Sequence, residues 1–152
     1  MASELDGVAE LTAQLTALGA QVAARELKGA VKDAIEPAEH LARQLIPVGT
    51  EPHKTYKGRI VAPGYALSTL HVETKVDKSK GTATASLGVG KEAFYATIFV
   101  ELGTSKKGAQ PWLRPAFEQS QSPMLQSLAG ELRRRVNKIA RRRQRAAARR
   151  RR

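Results

Sequence analysis

From Ser3 onward, the apolar residues Leu5, Val8, Leu11, Leu15 and Leu18 recur at three- and four-residue steps, which places them on one side of a helix. Ser3 is a suitable N-cap for that helix and Gly19 a suitable stop. A second stripe runs through Val22, Leu27, Val31, Ile35, Ala38, Leu41 and Leu45. It is interrupted by Pro37, whose missing N–H and crowding ring predict a kink or a brief break. Helices are therefore expected within 3–46, ending before Pro47-Val48-Gly49.

Residues 47–66, PVGTEPHKTYKGRIVAPGYA, keep no steady period and predict a long loop. In LSTLHVETKVD the period changes to two, with Leu70, Val72, Thr74 and Val76 alternating with His71, Glu73 and Lys75. This is the pattern of a half-buried strand. After the polar turn Asp77-Lys78-Ser79-Lys80-Gly81, the runs TATASLGV and FYATIFVEL are rich in Thr, Val, Ile and aromatics, which predicts two further strands. Short connections between the three imply an antiparallel meander over 67–102. A crossover at 103–115 then leads into a helix over 116–140, with Ser122-Pro123 as its N-cap and first position and Leu125, Leu128, Leu132, Val136 and Ile139 as its apolar stripe. Residues 141–152, RRRQRAAARRRR, carry fair helix propensity but no stripe, and charge repulsion is expected to fray them. The expected fold is α+β: N-terminal helices, a small antiparallel β-meander sheet packed against helices, and a long C-terminal helix with a basic extension. A chain of 152 residues accommodates this as one domain, 1–140, and an Arg-rich tail, 141–152.

Charge changes the picture at one end only. The net charge is +12, yet residues 133–152 hold twelve cations and no acid, leaving 14 basic against 14 acidic residues in the first 132 positions. The absence of cysteine excludes disulfides, thiolate metal sites and a cysteine nucleophile. Glu4, Asp6 and Glu10 stand where a secretory signal needs a basic start and an apolar block, and no apolar run is long enough to span a bilayer. A soluble chain made in the cytoplasm is expected.

Candidate chemistry is sparse. His40, His53 and His71 lack the spacing of a metal site, so surface or structural roles are expected and no metal or cofactor is implied. GTSKKG at 103–108 has the glycines, hydroxyls and lysines of an anion-binding loop, but a nucleotide phosphate loop needs glycine, four residues, then Gly-Lys-Ser/Thr opening a helix. Here Gly108 is followed by Ala109, Gln110 and Pro111, which favours a plain exit loop. Ser105 is outside any Gly-x-Ser-x-Gly elbow, and no carboxylate pair is marked by spacing. An enzyme is not expected. The tail, through Arg141, Arg142, Arg143, Arg145, Arg149, Arg150, Arg151 and Arg152, is suited to non-specific contact with nucleic acid or with an acidic protein surface. It has no aromatics for base stacking.

The stretch FVELGTSKKGAQPWLRPAFE at 99–118 adds a resemblance. Val100, Glu101, Gly103 and Thr104, followed after a short insert by Pro111, Trp112, Leu113, Arg114, Pro115 and Ala116, are similar to the Val-Glu-x-Gly-Thr … Pro-Phe-Leu-Arg-Pro-Ala signature of phage head-to-tail joining proteins. This family is also called neck, tail-completion or minor tail component proteins. Tryptophan stands where the family usually has phenylalanine, and IPVGT at 46–50 resembles a Pro-Val-x-Thr-Gly stretch with Gly and Thr transposed. The resemblance covers about residues 20–135, and the Arg-rich tail lies outside it.

The resemblance implies a non-enzymatic virion component. Such a protein forms a homo-oligomeric ring at the head–tail interface between portal-side and tail-tube-side proteins, close to packaged DNA and away from membranes. Glu101, Gly103, Thr104, Pro111, Trp112, Leu113, Arg114 and Pro115 are then the expected subunit or partner interface. Gly103 is expected to turn the chain, Pro111 and Pro115 to stiffen it, and Trp112 to anchor it. Glu101 and Arg114 are expected to pair, within one subunit or across the ring. The alternative is a small non-specific DNA-binding protein acting through the tail.

Overall fold

The computed structural model describes the backbone of residues 2–17 and 19–150, and the side chains of residues 8–17, 19 and 22–150. Leu5 and Leu18 of the first stripe, and Arg151 and Arg152 of the tail, fall outside the described side chains. The elements follow the order α1 (Ala2–Thr16), α2 (Ala20–Ala34), α3 (Glu36–Leu45), β1 (His53–Lys54), β2 (Ile60–Val61), α4 (Tyr65–Ser68), β3 (His71–Asp77), β4 (Thr82–Gly88), α5 (Lys91–Leu102) and α6 (Leu113–Arg150). The fold is α+β, with two antiparallel two-stranded sheets, β1–β2 and β3–β4. Residues group into two compact units, one of 1–34, 74–85 and 123–152, the other of 35–73 and 86–122.

In the first unit, α1 ends at Thr16 and Gly19 makes the connection. The Gly19 N–H donates to the Thr16 carbonyl at 3.1 Å, and its own carbonyl accepts from Ala23 at 3.0 Å. α1 packs against α2. Their stripes meet in a core of Leu15, Ala23, Leu27, Ala30 and Leu132, edged by Val8, Leu11, Ala83, Leu128, Val136 and Ile139. The described residues of the α1 stripe and Leu128, Leu132, Val136 and Ile139 of the α6 stripe lie on the buried sides, whereas α2 buries Ala23 and Ala30 with Leu27 and leaves Val22 and Val31 of its expected stripe only partly buried. Ser3 differs from its expected role: α1 already runs from Ala2, so Ser3 lies inside the first turn.

A second device ties α6 to α2. The Arg135 guanidinium reaches Glu26 at 3.1 Å, Asp33 at 2.6 Å and, on its own helix, Glu131 at 3.4 Å. Gly29 lies beneath it, where an added Cβ would come within 2.5 Å of the guanidinium. Burial pushes the Arg135 pKa down, but the hydrogen bonds and charges of its acidic partners outweigh this and raise it. Burial likewise pushes Glu26 up, and Arg25 and Arg135 more than offset that, lowering its pKa. Arg135, one of the twelve cations of 133–152, is therefore engaged within the folded body. Its i, i+4 relation to Glu131 was visible in the sequence; its partners on α2 were not.

In the second unit, Ile35 forms the expected break, and Pro37 sits in the first turn of α3, where its missing N–H leaves no bond unmade. The stretch 47–66 is more structured than a loop. β1 and β2 pair in register His53↔Val61 and Lys54↔Ile60, and the Thr55 N–H closes the turn onto the Arg59 carbonyl at 2.8 Å. Val61 is buried and Ile60 exposed, which is why two apolar residues in sequence gave no readable period. Leu67 and Ser68, placed by sequence at the start of a strand, belong to α4.

β3 and β4 confirm the alternation. Val72, Thr74 and Val76 are partly buried while His71, Glu73 and Lys75 are exposed, and Leu87 of β4 is buried. The turn is held by Asp77, whose Oδ1 accepts from the N–H groups of Ser79 at 2.9 Å and Lys80 at 3.2 Å.

The third expected strand is absent: FYATIFVEL lies in α5, so no three-stranded meander forms. Small residues one turn apart, Ala93 and Thr97, are its buried positions, and the Thr97 hydroxyl is satisfied by the Ala93 carbonyl at 3.1 Å and the Phe94 carbonyl at 2.9 Å. β-Branched and aromatic content is a weak prior when a helix offers this close-packed side. α6 also departs from expectation at both ends. It begins at Leu113, passes through Ser122-Pro123 without a new cap, and continues to Arg150 in place of fraying after 140. Pro123 forgoes only the bond to the Gln119 carbonyl and is itself exposed. Among the described residues, no helix is long and apolar enough to cross a membrane.

Candidate assembly site

The crossover from α5 to α6 is built around one carboxylate. Glu101 sits in the last turn of α5, and Gly103 follows with φ +78°. An added Cβ at Gly103 would come 2.8 Å from the Ala109 backbone nitrogen, so both its dihedral and its neighbours require glycine. The loop returns against α5, with the Gln110 N–H donating to the Val100 carbonyl at 2.8 Å. Residues 112–114 then arrive at Glu101. Its Oε2 accepts from the N–H groups of Trp112 at 2.7 Å and Leu113 at 2.9 Å, and its Oε1 from that of Arg114 at 2.9 Å.

The first N–H groups of a helix have no intrahelical acceptor, and the helix N-terminus carries partial positive charge. Glu101 answers both needs of α6 from a neighbouring helix. Burial pushes its carboxyl up, but the Trp112, Leu113 and Arg114 N–H groups, together with the Arg114 charge, hold it below the ordinary glutamate range. Within one subunit, the expected pairing of Glu101 with Arg114 takes a different form. The contact is to the Arg114 backbone, and among the described residues no ion pair joins its guanidinium to Glu101. Three backbone donors in a fixed fan outcompete one flexible, exposed guanidinium.

The other expected site residues fall around this point. Trp112 is 3% exposed and lines a cleft of ≈190 Å³ with Leu87, Val89, Phe94 and Ile98. Its Nε1 has no hydrogen-bond partner among the described residues. Pro111 is exposed just before the anchor, and Pro115 lies in the first turn of α6, where proline is tolerated. Thr104 closes the loop tip, its Oγ1 accepting from the Lys106 N–H at 3.3 Å and the Lys107 N–H at 3.1 Å. Donors that an anion-binding loop would direct outward are thus engaged within the loop. The histidines do not converge: His40 is 2.9 Å from Gln44, His53 is on β1, and His71 is 3.6 Å from Glu73. Among the described residues, no group of three metal-type side chains is assembled.

Sequence reasoning missed the outer side of α5. Phe94, Tyr95, Ile98, Phe99 and Leu102 follow the i, i+1, i+4, i+5, i+8 spacing of one helix side. Four of them are exposed, Phe94 by 49%, Tyr95 by 50%, Phe99 by 57% and Leu102 by 61%. Tyr95 meets Phe94 edge-on at 5.6 Å and Tyr56 of the β1–β2 turn at 4.9 Å, and exposed Ile60 follows on β2. Large apolar residues face outward while alanine and threonine are inside, the reverse of a surface helix that acts alone. The spacing was present in the sequence, but with both sides apolar it stood out less than the strand-like composition.

No family model, no curated protein and no solved structure matches this chain.

Proposed function

We propose that the chain is a structural subunit of a phage head–tail connector, a virion protein that assembles into a ring through the exposed side of α5 and joins the DNA-filled capsid to the tail. The observation that carries this reading is the outward stripe Phe94, Tyr95, Phe99 and Leu102. A contiguous exposed patch of this kind marks an association surface more often than a solvated one. The stripe lies on the helix that ends at the Glu-Leu-Gly-Thr segment carrying the resemblance to joining proteins. Glu101 then has a purely internal role. By locking the crossover it lets α5 present its apolar side rigidly, and it takes part in no chemistry.

Phe99→Glu tests the proposal. Residue 99 is largely exposed, so the isolated variant should fold with a melting temperature close to that of the parent chain. A charge placed in each ring interface costs about 2 kcal/mol or more, so the yield of joined particles should fall by roughly 30-fold at least. Tailless filled heads and free tails should accumulate in lysates. Joined particles at the parental yield would refute the α5 interface.

A further inference from the structure

The basic extension has an organisation that its composition hides. After Glu131 the sequence holds no acid, and α6 continues as helix through Arg150. At 3.6 residues per turn, Arg134, Lys138, Arg141, Arg142, Arg145 and Arg149 fall within a sector of about 100°. Leu128, Leu132, Val136 and Ile139 occupy the other side and pack into the core of their unit. Arg134, Lys138, Arg141, Arg142 and Arg145 line one shallow groove with Asn137. Every side chain from 141 to 150 is exposed.

The cations are not equivalent. Arg135 is held by Glu26, Asp33 and Glu131, and Arg134 is paired with Glu131 at 2.5 Å. From Lys138 outward the ladder has no acid of its own in the helix. Successive rungs at i, i+3 and i+4 repel one another, so a merely solvated helix would gain from interspersed acids. The missing countercharge is therefore expected to come from a ligand.

We infer that this side of α6 binds double-stranded nucleic acid through its phosphate backbone, without reading base sequence. From Lys138 to Arg149 the ladder spans about 16 Å, a row of positive charge on a rod whose width matches the major groove. Each phosphate it neutralises releases condensed counterions, which favours a dense, regular polyanion. Single strands are the poorer ligand because residues 133–150 offer no aromatic ring for stacking. Ala146, Ala147 and Ala148 keep the outer end slender enough to lie against a groove wall. The inference rests on α6 alone and is independent of the connector reading.

The test uses the full chain, a labelled duplex of about 20 base pairs, the matching single strand and polyglutamate, between about 50 and 200 mM salt. Two double variants remove the same charge: Arg141→Ala with Arg145→Ala on the ladder, and Arg133→Ala with Arg150→Ala off it. Alanine keeps the helix, which circular dichroism verifies. The ladder variant should weaken duplex binding about tenfold at the upper salt limit and reduce the salt slope by about 2, while the other should change affinity less than about threefold. Equal losses in the two variants would overturn the ordered ladder. Binding to single strand or polyglutamate as tight as to duplex would overturn the assignment to duplex nucleic acid.

Discussion

Replacing Trp112 by alanine should destabilise the chain by about 4 kcal/mol, a large fraction of the stability of a domain this size. Trp112 is almost fully buried, and a tryptophan removes on the order of 200 Å² from water. The space it leaves would join the ≈190 Å³ cleft that it already lines, so collapse around a smaller residue would be incomplete. Trp112→Phe should behave differently, changing stability by less than about 1 kcal/mol. It keeps a large ring and removes an indole N–H that is buried without a partner, and such an N–H costs about 1–3 kcal/mol. Urea unfolding of the two variants separates these effects. A small loss for the alanine variant, or equal losses for both, would contradict the anchoring role.

Glu101→Gln should destabilise the chain by about 2 kcal/mol at neutral pH and remove part of its acid sensitivity. An amide keeps one acceptor oxygen and replaces the other by a donor, so it can accept from the N–H groups of Trp112 and Leu113 or from that of Arg114, but not from all three, and its NH2 is turned against a donor. The pH dependence follows from the lowered carboxyl pKa. A glutamate unfolds to an ordinary value of about 4.3 and is held lower in the fold, so its contribution is fully present above that value and is lost as pH falls through the folded one. The difference in unfolding free energy between parent and variant should be constant above about pH 5 and shrink toward acid. Comparing the two cancels the other carboxylates, Glu26 among them. A difference that stays constant down to about pH 3, or grows toward acid, would contradict the fan of backbone donors.

What could be read from the sequence divides along sequence separation. The stripes of α1 and α6, the break before Pro37 and the alternation of β3 are local signals, and the structure keeps them; in α2 the helix was legible but its buried side, Ala23, Leu27 and Ala30, was not, because alanines carry little hydrophobic contrast. α5 was obscured because its two sides are both apolar; only the size of the residues, large outside and small inside, distinguishes them. The start of α6 was obscured for a different reason. Its cap is supplied by Glu101, eleven to thirteen residues earlier, so the local signal Ser122-Pro123 marked an interior position. Gly103 and Trp112 were recognisable as a turn and a buried anchor from residue type. The role of Glu101 required knowing which backbone groups face it.

The extension past Ile139 shows the same limit. Composition identified a polycation, but the sidedness that distinguishes Lys138, Arg141, Arg142, Arg145 and Arg149 from Arg133, Arg135 and Arg150 emerges only once α6 is seen to be continuous. Arg135 is the sharpest case, a basic residue inside a basic run whose partners, Glu26 and Asp33, are more than one hundred positions away.

The central claim is that this chain is a structural subunit of a head–tail junction. Electron cryomicroscopy of particles purified from the producing host, with the chain quantified by mass spectrometry, tests it most directly. The account predicts several copies per particle, forming a ring at the single capsid vertex where the tail attaches, with α5 at the contact between neighbouring copies. Particles that lack the chain, or that carry it anywhere other than this vertex, would contradict it.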